Sequence, residues 1–258
     1  MRLRNIVSVL VGFLTTGCAS VYNGDATIAK SPSTYAVVVG METSQFAGKC
    51  AGAGIDAQRM KSLIGKYTDN IVYLRDGNAT KNNVVSAIRN SIEKSSLFIL
   101  YYSGHGGQEA FPDTGSDETD GKDEFLCLYD TYLRDNEIWD MIKDAKCRVF
   151  LVFDACHSET MFRGVSPFFL RRCVPLAETH NSDLGIDLLV WSGCPEETYS
   201  YGSATGGMMT NAILKYFDPG KTYDSLWKQI ESDKSLRAAE IVQRTISGNG
   251  FTDAQMFR

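Results

Sequence analysis

Two apolar, β-branched runs, each ending in a short polar motif, constrain this chain more than any other feature. Residues 96–102 read Ser-Leu-Phe-Ile-Leu-Tyr-Tyr and lead into Ser103-Gly104-His105-Gly106-Gly107. Residues 148–153 read Arg-Val-Phe-Leu-Val-Phe and lead into Asp154-Ala155-Cys156-His157-Ser158. Continuous apolar runs followed by turn residues mark strands buried on both faces of a parallel sheet. In open α/β sheets, sites are built at the carboxyl ends of such strands. A histidine and a cysteine are therefore expected side by side at one sheet edge, as a thiol nucleophile and its base require.

The histidine is chosen by elimination among three. His157 follows Cys156 directly and cannot easily turn back onto its neighbour's sulfur, and His180 lies in the polar stretch Glu178-Thr179-His180-Asn181-Ser182. His105 sits between glycines, expected to let the backbone turn sharply and leave the imidazole uncrowded. Taken singly, His105 could be a capped loop histidine and Cys156 a small buried hydrophobe. Their placement at two strand ends makes the paired reading the stronger one.

YYSGHGGQ and DACHSET together resemble the caspase-like cysteine peptidases of the metacaspase and bacterial orthocaspase branch. The two residues stand 51 positions apart, 105 to 156, close to the roughly 50 expected of a caspase-type pair. Further segments are similar: residues 53–60, with Asp56 at an acidic position; residues 74–84; the acidic stretch 117–124; and Trp191-Ser192-Gly193-Cys194 with Gly207-Met208-Met209-Thr210. The likeness covers residues 33–258. Departures are Ala53, where the family often has Cys, and Glu159, where it often has Gly. The resemblance implies an α/β caspase-like fold, a mostly parallel sheet of about six strands with helices on both faces.

The pattern along the chain agrees. Strands are expected at 35–39, 71–74, 97–102, 149–153 and 187–191, with a weaker one at 241–245. Helices are expected at 54–67, 81–94, 135–143, 207–216 and 223–232. Alternating strands and helices give a parallel sheet covered on both sides. Residues 162–183 lack periodicity and read as a long, functional or cleavable loop. At 258 residues and 43% hydrophobic, the chain can bury one substantial core. A formal charge of −5 without a basic patch argues against nucleic-acid binding.

Residues 1–17 read as an export signal: Arg2 and Arg4, an apolar stretch, then small residues. Gly17-Cys18 suggests a bacterial lipobox, with Cys18 lipidated; a cleaved secreted form and an uncleaved anchor are the alternatives. Residues 18–32 read as a tether and 33–258 as the peptidase domain. The expected location is a bacterial cell membrane, facing the periplasm or the exterior, with the lipid as sole membrane contact and the chain a monomer. Besides Cys18 and Cys156, five cysteines remain, an odd number that cannot all pair within one chain.

In this reading Cys156 attacks a peptide carbonyl and His105 exchanges the proton. The resemblance supplies the Gly106 and Cys156 amides as oxyanion donors. Asp154, two residues before Cys156 on the same strand, points to the same face, where a carboxylate favours Arg or Lys beside the scissile bond. The resemblance adds Asp56 and Ser103 to that pocket. Alternatively, Asp154 holds backbone amides of the active-site loop. An EF-hand register through the acidic stretch fails, because Cys127 would stand where Glu belongs. The resemblance nevertheless implies Ca²⁺ as an activator, with Asp120, Asp123, Asp135 and Asp140 as ligands; the chemistry itself requires no cofactor. The competing readings are a catalytically silent caspase-like module that binds peptides or partners, and an acyl-transfer enzyme using the same dyad.

Overall fold

The computed structural model describes residues 29–109, 123–157, 184–195, 206–237 and 240–258. In chain order the elements are β1 (Thr34–Gly40), the two-residue arms β2 (Thr43–Ser44) and β3 (Gly48–Lys49), α1 (Ala53–Ile64), β4 (Ile71–Arg75), α2 (Lys81–Ile92), β5 (Leu97–Glu109), β6 (Asp123–Cys127) and β7 (Tyr132–Arg134). There follow α3 (Asp135–Ile142), β8 (Arg148–His157), β9 (Leu188–Pro195), α4 (Met208–Tyr216), α5 (Tyr223–Ser232), α6 (Lys234–Arg237) and β10 (Glu240–Ser247).

Among the described residues the main sheet has eight strands. Six form the path β10-β9-β8-β5-β1-β4, and β6 and β7 hang from the far end of β5. The pairs β4–β1, β1–β5, β5–β8 and β8–β9 are parallel, whereas β10 runs antiparallel to β9 and β6 antiparallel to β5. The six strands of the path are the six that the sequence pattern predicts. The additional hairpin carries short strands of three and five residues, too short to stand out by periodicity.

Strand parity separates two cores. Even positions of β5 and odd positions of β8, such as Phe98, Leu100, Leu151 and Phe153, pack under α2 and α3 through Val84, Ile88, Ile138 and Ile142. The opposite parity, including Ile99, Tyr101, Phe150 and Val152, packs under α1, α4 and α5 through Met60, Ile64, Met209 and Leu226. On that second face the Phe150 ring meets Trp191 and Tyr223 edge-on, each at 5.0 Å between centroids, the geometry favoured by ring quadrupoles.

The topology also fixes where a site can form. From β1 the chain crosses outward to β4, and from β5 it proceeds the opposite way to β8. Connections therefore diverge between β1 and β5, the kind of crevice in which open α/β sheets bind ligands. The start of α1 stands directly after this point. Among the described residues no helix is long and apolar enough to cross a membrane.

Candidate active site

The apolar ladder between β5 and β8 continues past its hydrophobic half without a change of register. Leu97 pairs with Arg148 at one end, and Ser103↔Asp154, His105↔Cys156 and Gly106↔His157 pair at the other. The sequence pattern ends these strands at residues 102 and 153, with turns beyond. In the structure His105 and Cys156 lie within the strands. The glycines beside His105 serve a different purpose from sharp turning: none of Gly104, Gly106 and Gly107 has a positive φ. A Cβ on Gly104 would stand 2.5 Å from the Tyr102 hydroxyl, and one on Gly107 would stand 2.5 Å from the Phe125 ring.

Two carboxylates lie below this pair. Asp56, in the first turn of α1, is 1% exposed, and Asp154 on β8 is 3% exposed. Both hold the start of α4. The N-cap of that helix is Gly207, which brings no side-chain acceptor. The Gly207 amide donates to Asp56 Oδ2 at 2.6 Å, and the Thr210 amide donates to Asp154 Oδ2 at 2.8 Å. The Thr210 hydroxyl donates to the same Asp154 oxygen, and Tyr101 Oη is 2.5 Å from that hydroxyl. Ser103 Oγ, 3.3 Å away, donates to Asp56 Oδ2. Two carboxylates at a helix N-terminus suit both its unpaired amides and its dipole.

The fit is close enough to require glycine. Gly206 has φ +87°, a conformation open to glycine, and a side chain there would run into Asp56. A Cβ on Gly207 would strike Asp154. Beside them, Arg59 Nη1 donates to Asn211 Oδ1 at 2.6 Å and ties α1 to α4.

Burial dominates the electrostatics of the pair. Loss of hydration, then repulsion from Asp154, pushes the Asp56 carboxyl up to about 7, against the opposing pull of the Gly207 amide, Ser103 and Arg59. Burial raises Asp154 as well, opposed by its two bonds from Thr210. Among the described residues Asp56 Oδ1 has no hydrogen-bond partner. Such a pair is poised to receive a positive charge, because a cation restores the ionised form that burial disfavours.

The sequence-derived site residues thus divide. His105, Gly106, Ser103 and Asp154 fall on the aligned ends of β5 and β8, Asp56 faces Ser103 from α1, and the Cys156 backbone is the register partner of His105. Asp154 also holds a backbone amide, the alternative raised from sequence, although the amide belongs to α4. Thr210, Tyr101 and the glycine pair 206–207 were not singled out as site residues. The available signal was the glycine at a helix N-cap, which must find its acceptor elsewhere in the fold.

Of the acidic residues that the resemblance implies for calcium, the two whose side chains are described, Asp135 and Asp140, are not brought together. Asp135 Oδ1 accepts from the Asn136 amide at 2.7 Å, and Asp140 Oδ1 is 2.7 Å from Lys143 Nζ. Five positions apart on α3, the two point to different faces. Among the described residues no group of three or more His, Cys, Asp or Glu could hold a metal ion. The described residues alone do not fit a calcium site, and no step below uses one. Asp120, Cys18, His180 and the loop 162–183 lie outside the described residues, as do the side chains of Asp123 and Cys156.

The parallel sheet thus sets a histidine and a cysteine in register at its carboxyl edge, above two buried carboxylates. A family model described as the caspase domain matches residues 33–243. The chain belongs to that family. It is similar to the Metacaspase-1 of Cryptococcus neoformans, 31% identical over 152 residues, which span 48% of this chain and 32% of that protein. The Metacaspase-1 of Yarrowia lipolytica is 31% identical over 112 residues, 37% of this chain and 24% of that one. The chain therefore spans a third or less of the curated relatives it matches here. A crystal structure from Geobacter sulfurreducens shares the fold with a TM-score of 0.67 at 24% identity, covering 88% of this chain and 98% of the other. Caspase-1 from Spodoptera frugiperda does so at 0.55 and 12%, covering 85% and 88%.

Proposed function

We propose that the chain is a cysteine endopeptidase that cuts peptide bonds after Arg or Lys. The observation that carries this reading is the single register that aligns His105 with Cys156 and Ser103 with Asp154, with Asp56 closing the pocket from α1. His105 takes the Cys156 thiol proton, and the sulfur attacks the carbonyl carbon of the substrate. The carbonyl oxygen becomes an oxyanion held by the amides of Gly106 and Cys156. As the tetrahedral intermediate collapses, the C–N bond breaks and His105 gives its proton to the departing amine. Water, deprotonated by His105, then attacks the thioester; the C–S bond breaks and the carboxylic acid leaves. The Arg or Lys side chain before the scissile bond lies against Asp56 and Asp154, where its charge replaces the solvation that both carboxylates have lost.

Fluorogenic peptides ending in Arg, Lys, norleucine or Asp, assayed with and without calcium, test this reading. Turnover of the Arg and Lys peptides well above the norleucine and Asp ones is expected. Equal rates on all four, or preference for Asp, would overturn the specificity. No thiol-dependent turnover of any would overturn the activity. The calcium arm decides whether the cation contributes.

The amino-terminal segment is proposed to export the chain and leave it lipid-anchored to a bacterial membrane through Cys18. The basis is Gly17-Cys18 after an apolar stretch with Arg2 and Arg4 before it. Fatty-acid labelling of the wild type and not of Cys18→Ser is the expected result; equal labelling of both would rule it out.

A further inference from the structure

The polar end of β5 contains a buried tyrosine that the chemistry above leaves unused. Tyr102 is 1% exposed. Its single hydroxyl proton is shared between the His105 carbonyl, at 2.6 Å, and the Cys127 carbonyl, at the end of β6, at 2.8 Å. The first of these bonds acts on the peptide plane that matters. The His105 carbonyl and the Gly106 N–H belong to one planar trans peptide unit and point in opposite directions. Fixing one aims the other.

Strand geometry gives the direction. The Met41 amide donates to the Ser103 carbonyl at 2.8 Å, so the carbonyl of residue 103 faces β1. Two residues on, the His105 carbonyl faces the same edge, now occupied by β6. The Gly106 N–H then faces β8, where Cys156 and His157 are the register partners of His105 and Gly106. Gly104 makes the contact possible, since a Cβ there would meet the Tyr102 hydroxyl at 2.5 Å and Met41 at 2.8 Å.

We propose that Tyr102 is a positioning residue for oxyanion stabilisation: its hydroxyl holds the His105 carbonyl and so aims the Gly106 amide at the oxygen that becomes charged beside Cys156. The inference rests on the peptidase reading and on Gly106 as an oxyanion donor. Removing a donor outright costs roughly 10²–10³ in kcat; releasing its orientation costs less, about 10- to 100-fold.

The test uses the full chain with Tyr102→Phe, which keeps the ring and its packing. Turnover of an Arg peptide, inhibition by the matching peptide aldehyde and alkylation of Cys156 by iodoacetamide are measured together. The aldehyde forms a tetrahedral adduct that needs the oxyanion donors, whereas alkylation needs the thiol and His105 alone. The expected result is a fall in kcat and in aldehyde affinity by a similar factor, with KM within about twofold and the alkylation rate unchanged. Unchanged kcat and aldehyde affinity would overturn the proposal, as would an alkylation rate that fell in step with them, the signature of a general loosening. Should Tyr102→Phe not fold, Gly104→Ala displaces the same hydroxyl and is judged by the same split. A wild type without turnover defeats the peptidase reading and this inference with it; an active wild type matched by the variant defeats only this inference.

Discussion

The β5–β8 ladder is one continuous structure with two unlike halves. From Phe98↔Val149 to Tyr101↔Val152 it is apolar and sealed between helices on both faces; from Tyr102↔Phe153 to Gly106↔His157 it carries the polar groups, in the same register. The lower half derives its stability from burial, which is proportional to area and tolerant of detail. In the upper half, buried carboxylates and carbonyls must each meet specific donors, because an unpaired buried polar group is costly. The difference teaches that the rigid half fixes the register and the polar half depends on it. A one-residue slip would move Asp154 and Cys156 to the other face of the sheet.

The sharpest way to separate the halves is to remove the proposed reacting groups. Cys156→Ala or His105→Ala should abolish turnover of Arg peptides, a loss of at least ~10³-fold given the size of nucleophile and base effects. The midpoint of thermal unfolding should stay within a few degrees, since the His105 side chain is half-buried and Cys156→Ala removes a single heavy atom. Clear turnover by purified Cys156→Ala would break the distinction.

The reverse experiment targets the sealed half. Phe150 is 1% exposed and sits among Trp191, Tyr223 and Phe251. Phe150→Ala should destabilise by about 3–5 kcal/mol, as large-to-small core substitutions do. Denaturant titration measures this, and the remaining folded fraction should retain its preference for Arg over norleucine. A changed preference would mean that the halves are coupled more tightly than a shared register requires.

An intermediate effect is expected where the halves meet. Asp154→Asn removes a carboxylate facing the proposed Arg or Lys side chain while keeping an acceptor for Thr210. The ratio of kcat/KM for Arg over norleucine peptides should fall by roughly 30-fold, the lower end of what losing one partner of a buried charge pair costs, because Asp56 remains. An unchanged ratio with lowered stability would assign Asp154 to capping α4 alone.

The smallest expected effect is on pH dependence. The Asp56 carboxyl is pushed up to about 7 from 3.8. Between these values the unfolded chain has lost the proton that the folded protein keeps, so stability falls as pH rises through this window. This contribution is fully present below pH 3.8 and lost above about 7. Asp56→Asn, uncharged throughout, should narrow the difference in thermal midpoint between pH 5 and pH 8. It should also weaken binding of an Arg peptide most at pH 8, where the wild-type pocket is ionised. A midpoint difference as wide as in the wild type would show that other groups set the dependence.

Much of this was legible in the chain. The six strands of the main path are marked by runs such as residues 97–102 and 149–153, because strands buried on both faces must be apolar throughout. The helices are marked similarly, and the structure adds caps to two of them: Thr80 accepts from the Asn83 amide at α2 and Thr222 from the Ser225 amide at α5. The β6–β7 hairpin and the extension of β5 to Glu109 left no comparable mark. Their pairing depends on β5 outrunning β1, whose ladder ends at Gly40↔Ser103, and a sequence pattern contains no information on what lies beside a strand.

The sequence by itself determined a mostly parallel α/β fold and the places of its six main strands along the chain, since both follow from local periodicity, and by elimination it left His105 as the candidate partner of Cys156. The tertiary structure alone decided that Asp56 and Asp154, 98 positions apart (56 to 154), hold one helix terminus, and that Tyr102 reaches back to the His105 carbonyl. Composition and spacing fix which side chains are buried and on which face. Hydrogen bonds a few ångströms long depend on how closely separate elements approach, and that is set by packing across the fold, here by Gly104 under Tyr102 and Gly206-Gly207 against the two carboxylates.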